Sequence, residues 1–147
     1  MPVFRLADAK MHHCGQILRR LRDPQREAFM ALGLDAHRQL RDRFGESSFK
    51  RAWFIDGGLA GLGGVTGSPL STTGLIWLAL TPDCARFPRQ TVETARNMLA
   101  HVMATREEVY AMIFTSDPAS VRFARFLGFA PVDAPAPDGT LLMVYRA

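Results

Sequence analysis

His12, His13 and Cys14 are consecutive, and all three are of the kind that holds zinc or serves as base and nucleophile. Neighbouring positions on a helix point about 100° apart, so the three side chains cannot close on one ion, and no metal is predicted. Gly61-Leu62-Gly63-Gly64 has the glycine density of a phosphate loop. It falls within a hairpin, however, and a dinucleotide fingerprint needs a strand before it and a helix after it. Ser71, Thr72 and Thr73 read as turn hydroxyls. Cys14 and Cys84 are far apart, form no C-x-x-C pair and have apolar neighbours, which suits small buried residues of a reducing compartment.

The elements that must position any chemistry are clearer. The chain has 147 residues, 48% of them hydrophobic and 22% charged, enough for one domain, 1–147, to bury a core without disulfides or a structural metal. The net charge of +4 is uneven: residues 1 to 51 hold 11 basic and 6 acidic side chains, and the other 96 hold 7 and 8. Basic and acidic residues interleave there, as on a solvated helix face; polyanion binding is a third functional reading, and nucleic acid is not the partner predicted. The start lacks a secretory signal and no run of eighteen apolar residues occurs, so a soluble cytoplasmic protein without a membrane partner is expected.

Val3 to Leu6 reads as a first strand. Asp8 reads as the N-cap of a helix with Met11, Cys14, Leu18 and Leu21 on its apolar face. Asp23 and Pro24 open a second helix, striped by Phe29, Leu32, Ala36, Leu40 and Phe44 and stopped by Gly45. Arg51 to Ile55 and Leu59 to Thr66 form a hairpin around Asp56-Gly57-Gly58. Gly74 to Thr81 carries an almost continuous apolar run, Leu75 to Leu80, as in the centre of a sheet, and Pro82 stops it. A helix carrying Val92, Ala95, Leu99 and Val102 follows, then the strand Val109 to Thr115. Asp117-Pro118 starts a short helix that ends at Gly128. Phe129 to Val132 and Leu141 to Val144 close the sheet. The fold class is α/β (α+β), a mixed, mostly antiparallel sheet flanked by helices in the order βααβββαβαββ.

That order, with Leu78-Ala79-Leu80-Thr81-Pro82 as the central strand and Asp117 through Phe129 ending in Gly-Phe, resembles the GNAT (Gcn5-related N-acetyltransferase) superfamily over essentially the whole chain. The resemblance implies a splayed central strand whose backbone at Leu80 would hold the thioester arm of acetyl-CoA. It also implies a loop of the form (Gln/Arg)-x-x-Gly-x-(Gly/Ala) around the pyrophosphate. No glycine lies between Asp83 and Thr91, and in one register Pro88, which lacks an N–H, takes a glycine position. The residues implied for CoA are therefore Leu80, Arg86, Arg89, Gln90 and Thr91, the last four at a helix N-terminus that favours phosphate. Where many of these enzymes carry a general-acid Tyr stands Ala124, and where they carry an Asn stands Asp117. Asp117 and Ser116 are the candidate catalytic residues, with Asp56 as another carboxylate for deprotonating an amine.

The set Trp77-Leu78-Ala79-Leu80-Thr81, Ser116 through Phe123, Gly128 and Asp138-Gly139-Thr140-Leu141 is similar to small GNAT-like internal virion proteins of short-tailed phages. It implies a virion structural or assembly protein with a degenerate acetyl-CoA site and no transferase activity, contacting other virion chains or further copies of itself and carried into the virion. The alternative is an acetyl-CoA-dependent N-acetyltransferase that uses the central-strand backbone and the helix N-terminus near Gln90.

Overall fold

A computed structural model describes residues 2–147. Along it come β1 (Phe4–Asp8), α1 (Met11–Arg19), α2 (Asp23–Ala31), α3 (Ala36–Glu46), β2 (Ser47–Ile55), β3 (Gly58–Thr66), β4 (Leu75–Leu80), a 3-10 turn (Pro82–Arg86), α4 (Pro88–Met103), β5 (Glu108–Phe114), α5 (Pro118–Leu127), β6 (Ala130–Pro131) and β7 (Thr140–Arg146). The mixed class and helix-flanked sheet agree with the sequence reading. No helix among the described residues is long and apolar enough to cross a membrane.

The amino-terminal part corrects that reading: three helices stand where two were expected. The stripe from Phe29 to Phe44 keeps helical spacing, but the backbone breaks inside it. Gly33 takes a left-handed φ of 67°, the Leu34 amide reaches back to the Phe29 carbonyl and the Gly33 amide to Met30, a Schellman ending that closes α2. Asp35 then caps α3, accepting from the amides of His37 and Arg38 at 3.0 and 3.3 Å. Three further boundaries move. Asp8 caps no helix; it ends β1 and pairs with Arg51 at 3.3 Å. Asp23 lies within α2, whose N-cap is Arg22. Gly45 stays helical, and α3 runs to Glu46 with Ser47 as its C-cap.

The seven strands form one sheet in the order β1-β2-β3-β4-β5-β7-β6. Neighbours are antiparallel except β4 and β5, which run parallel. The β2–β3 hairpin turns on Asp56 and Gly57, both at positive φ (49° and 83°), the primed geometry that matches strand twist. One face packs α1 and α3 over Ala52, Leu62, Trp77 and Ala79. The other packs α4 and α5 over Trp53, Val65, Val109 and Met143.

The glycine cluster of β3 serves this two-sided packing. A Cβ at Gly61 would meet Leu80 and Trp53 at 2.9 and 3.2 Å, and one at Gly63 would meet Leu78 Cδ1 at 2.9 Å and the Trp77 carbonyl at 3.0 Å. The missing side chains let the β2 and β4 residues lean over the strand. Because one obstacle at Gly63 is backbone, Gly63→Ala should destabilise the fold by about 1–3 kcal/mol, read as a lower midpoint in urea unfolding with an unchanged slope.

Candidate functional site

The parallel pair β4 and β5 is joined at a single position, Leu75 opposite Tyr110, with the Tyr110 amide on the Gly74 carbonyl at 2.8 Å. Beyond it the strands part. β4 stays laddered to β3 as far as Leu80, and β5 to β7 as far as Phe114. The sheet thus opens a gap in its middle and leaves one edge of β4, from Ile76 onward, without a strand partner. Backbone groups in such a place must be satisfied some other way.

Side chains and backbone of the α2 region do so. Gln25 donates from Nε2 to the Leu78 carbonyl at 3.1 Å and accepts at Oε1 from the Leu80 amide at 3.4 Å. The Arg22 amide donates to the Leu80 carbonyl at 3.1 Å. One carboxamide therefore makes the two-point contact that a strand amide would make. Nothing local in the sequence marks Gln25, because its partners lie more than fifty residues away.

Across the gap, Arg22 grips Asp117 with both guanidinium nitrogens, at 3.0 and 3.2 Å. Asp117 also accepts from the Ser120 hydroxyl at 2.6 Å and, as the N-cap of α5, from its amide at 3.4 Å. It is 1% exposed. Burial alone would raise its pKa, but the hydrogen bonds from Arg22 and Ser120 and the Arg22 charge outweigh that and hold the carboxylate below its ordinary range. It is an ionised anchor, and a feeble base.

Two cavities meet at this gap. A slot of about 150 Å³ lies on the α4/α5 side, walled by Leu78, Leu80, Met98, Phe123 and Ala124. Among the described residues, the only titratable groups lining it are Arg22 and Asp117. Trp53, 1% exposed, also lines it, and its indole Nε1 has no hydrogen-bond partner among the described residues. A chamber of about 510 Å³ lies on the α1–α3 side. Gln25, Ile76, Trp77, Leu78, Met112 and Phe114 line both and form the partition.

The residues singled out from sequence divide between gap and surface. Leu80 and Asp117 stand at the gap. Ser116 is exposed in the turn before α5 and lines neither cavity; Asp56 is in the β2–β3 turn, accepting from the Val3 amide at 2.9 Å. Arg86 and Arg89 are exposed beside the start of α4. Gln90 is half-buried in its first turn. Thr91 is buried, its hydroxyl donating to the Cys84 carbonyl at 3.0 Å. The 3-10 turn bonds its own amides, Cys84 to Thr81 and Phe87 to Cys84, and holds the Asp83 carboxylate against Arg20, with Arg86 at 4.0 Å. Burial pushes the Cys84 thiol up to about 11, so it is no nucleophile. His13 accepts the Lys10 amide on Nδ1 at 2.9 Å and burial lowers its pKa.

The Arg22–Asp117 contact generates a direct test. Asp117→Ala would leave the Arg22 guanidinium facing the slot unpaired and should cost about 3–5 kcal/mol of stability in denaturant titration. Since the folded state makes the carboxyl more acidic, its contribution is complete above the ordinary Asp value of about 3.9 and is lost as pH falls through the lower folded value. Asp117→Asn should flatten that acid limb.

No protein-family model matches the chain, and no curated protein matches it in sequence. Solved structures do match in shape. The alanine N-acetyltransferase of a ribosomal protein from Escherichia coli superposes with a TM-score of 0.67 at 14% identity over 98% of this chain and 94% of its own. The PaiA N-acetyltransferase from Thermoplasma acidophilum, in complex with coenzyme A, gives 0.68 at 11% over 99% of each. An aminoglycoside acetyltransferase, also with coenzyme A, gives 0.69 at 13% over 98% and 95%. These relatives are acetyltransferases, and the expected kinship with virion proteins gains no support from them. With one sheet parted between a parallel central pair and helices on both faces, the chain has the GNAT acetyltransferase fold.

Proposed function

We propose that the protein is an N-acyltransferase that takes its acyl group from acetyl-CoA. The observation that carries this reading is the gap between β4 and β5, held open at a single paired position and flanked by a slot on one face and a chamber on the other. The slot suits the amide-bearing arm of the thioester. Its walls are mostly apolar, the Leu80 amide and Leu78 carbonyl at the strand edge are held by the Gln25 side chain, and the unpartnered Trp53 indole supplies a buried donor, which a native core retains at a cost unless something accepts from it. Two of the structural relatives were solved with coenzyme A bound.

In the reaction the amine lone pair attacks the thioester carbonyl carbon, the C–S bond breaks, and the thiol leaves with the proton given up by the amine. This chain contributes placement more than proton transfer. Ala124 stands on the slot wall where a Tyr would donate, and Asp117 is committed to Arg22. Gln25 holds the strand edge and gives it up when an amide of the coenzyme arm pairs there. Arg86 and Arg89 attract the pyrophosphate at the mouth of α4 in place of glycine amides.

The contrary reading, a fold kept for an assembly role, draws on the glycine-free stretch 83–91. Calorimetry with acetyl-CoA and with CoA decides between them: micromolar binding supports the enzyme, and silence at millimolar ligand overturns it. Trp53→Phe removes an unsatisfied donor but leaves a smaller ring in a packed core, so it should cost about 1–2 kcal/mol of stability while weakening acetyl-CoA binding. Gln25→Ala should tighten that binding by about threefold to tenfold, the worth of one or two displaced hydrogen bonds; weaker binding would show that Gln25 is no placeholder.

A further inference from the structure

The chamber on the α1–α3 face is mostly apolar and carries one cation with no ion-pair partner among the described residues. Leu18, Leu21, Phe29, Leu40, Trp77 and Phe114 are among the residues that line it. Among the described residues, the only carboxylate lining it is Asp138. Arg43, from the last turns of α3, also lines it and takes part in no ion pair among the described residues. The Arg43 backbone is fixed, because its carbonyl accepts the Ser47 hydroxyl at 2.6 Å and Ser47 in turn accepts the Trp77 indole at 2.7 Å. Only the side chain is left to adjust. Burial lowers its pKa, and the Glu46 charge offsets that only in part, so the cation stands partly stripped of water with no carboxylate on it.

An anion brought to Arg43 would gain a charge-assisted contact in surroundings that strengthen it. A polyamine or other polycation would meet hydrocarbon, one guanidinium and a lone Asp138, which is the wrong sign of charge and too few acceptors. Gln25 lines both cavities and so stands where slot and chamber meet.

Building on the N-acyltransferase reading, we infer that the acceptor is an amine carried on an apolar body that also bears a carboxylate, and that Arg43 receives the carboxylate. Aliphatic and aromatic amino acids, with the amine either α or ω to the acid, are the class. Arg43 is then a specificity-determining residue and takes no part in the bond changes.

The test pairs acids with their decarboxylated partners: L-leucine with isoamylamine, and ω-aminooctanoate with heptylamine, spermidine serving as the polycation. Acetyl transfer is followed by thiol release, and acceptor binding to the CoA-free protein by calorimetry. In at least one pair the acid should be preferred by about tenfold or more in KM. Arg43→Gln should erase that preference while leaving the KM of the plain amine within about twofold. The inference is overturned if spermidine is the best acceptor, if neither pair shows a preference for the acid, or if Arg43→Gln changes acid and amine alike. Arg43-dependent binding of an acid without thiol release from any amine would uphold the chamber and overturn the acyl-transfer reading. Thiol release with no role for the carboxylate would do the reverse.

Discussion

A sheet that parts in its middle exposes backbone groups where water is scarce, and each one left unpaired costs more than a hydrogen bond returns. Everything about the centre of this molecule follows from how that gap is held. The α1–α2 junction crosses it: Arg22 reaches Asp117 at the head of α5, while its own amide and the Gln25 carboxamide complete the edge of β4. The pair Arg22–Asp117 joins residues 95 apart in sequence, so it fixes the amino-terminal helices against the carboxy-terminal half. The same contacts keep the slot and the chamber distinct and set Gln25 between them.

The pieces on either side are shaped by subtraction. β3 lacks side chains at Gly61 and Gly63 on one face, which lets Trp53, Leu78 and Leu80 close over it. On the opposite face Gly64 lies beneath the Trp77 ring, its Cβ position 3.2 Å from the ring atoms. The slot is thus narrow and mostly apolar, and the Trp77 ring, bonded to Ser47, forms part of the chamber wall. Glycines that look in sequence like a phosphate loop do a packing task here, and the turn that follows β4 has none.

Much of this architecture was legible in the chain. Strong local signals survived: the Asp-Gly turn after Ile55, the unbroken apolar run before Pro82, and the Asp117-Pro118 start and Gly128 stop of α5, where Gly128 adopts φ 110°. The break at Gly33 was hidden because the apolar spacing continues through it; Gly33 followed by Asp35 was the available clue, a stop and a new cap two residues apart. The site was less readable. Leu80 and Asp117 stand at the gap, Asp117 as an ion-paired cap where a base was expected. Gln25 and Arg22 hold partners set by tertiary packing, Trp53 and Arg43 line cavities formed the same way, and none of the four carries a motif. Thr91 looked like a phosphate contact and is instead tied to Cys84, because a 3-10 turn folds back onto α4.

The two cysteines have a practical side. Cys14 sits in the core under α1 and Cys84 under the turn before α4, each at most 3% exposed, and burial raises the pKa of both. A reagent that consumes thiolate therefore sees almost nothing in the folded chain. Each sulfur becomes a clock for its own region: the rate at which Cys14 reacts reports how often the α1–α3 face comes apart, and the rate at Cys84 reports the same for the turn beside α4, without any label being added to the protein.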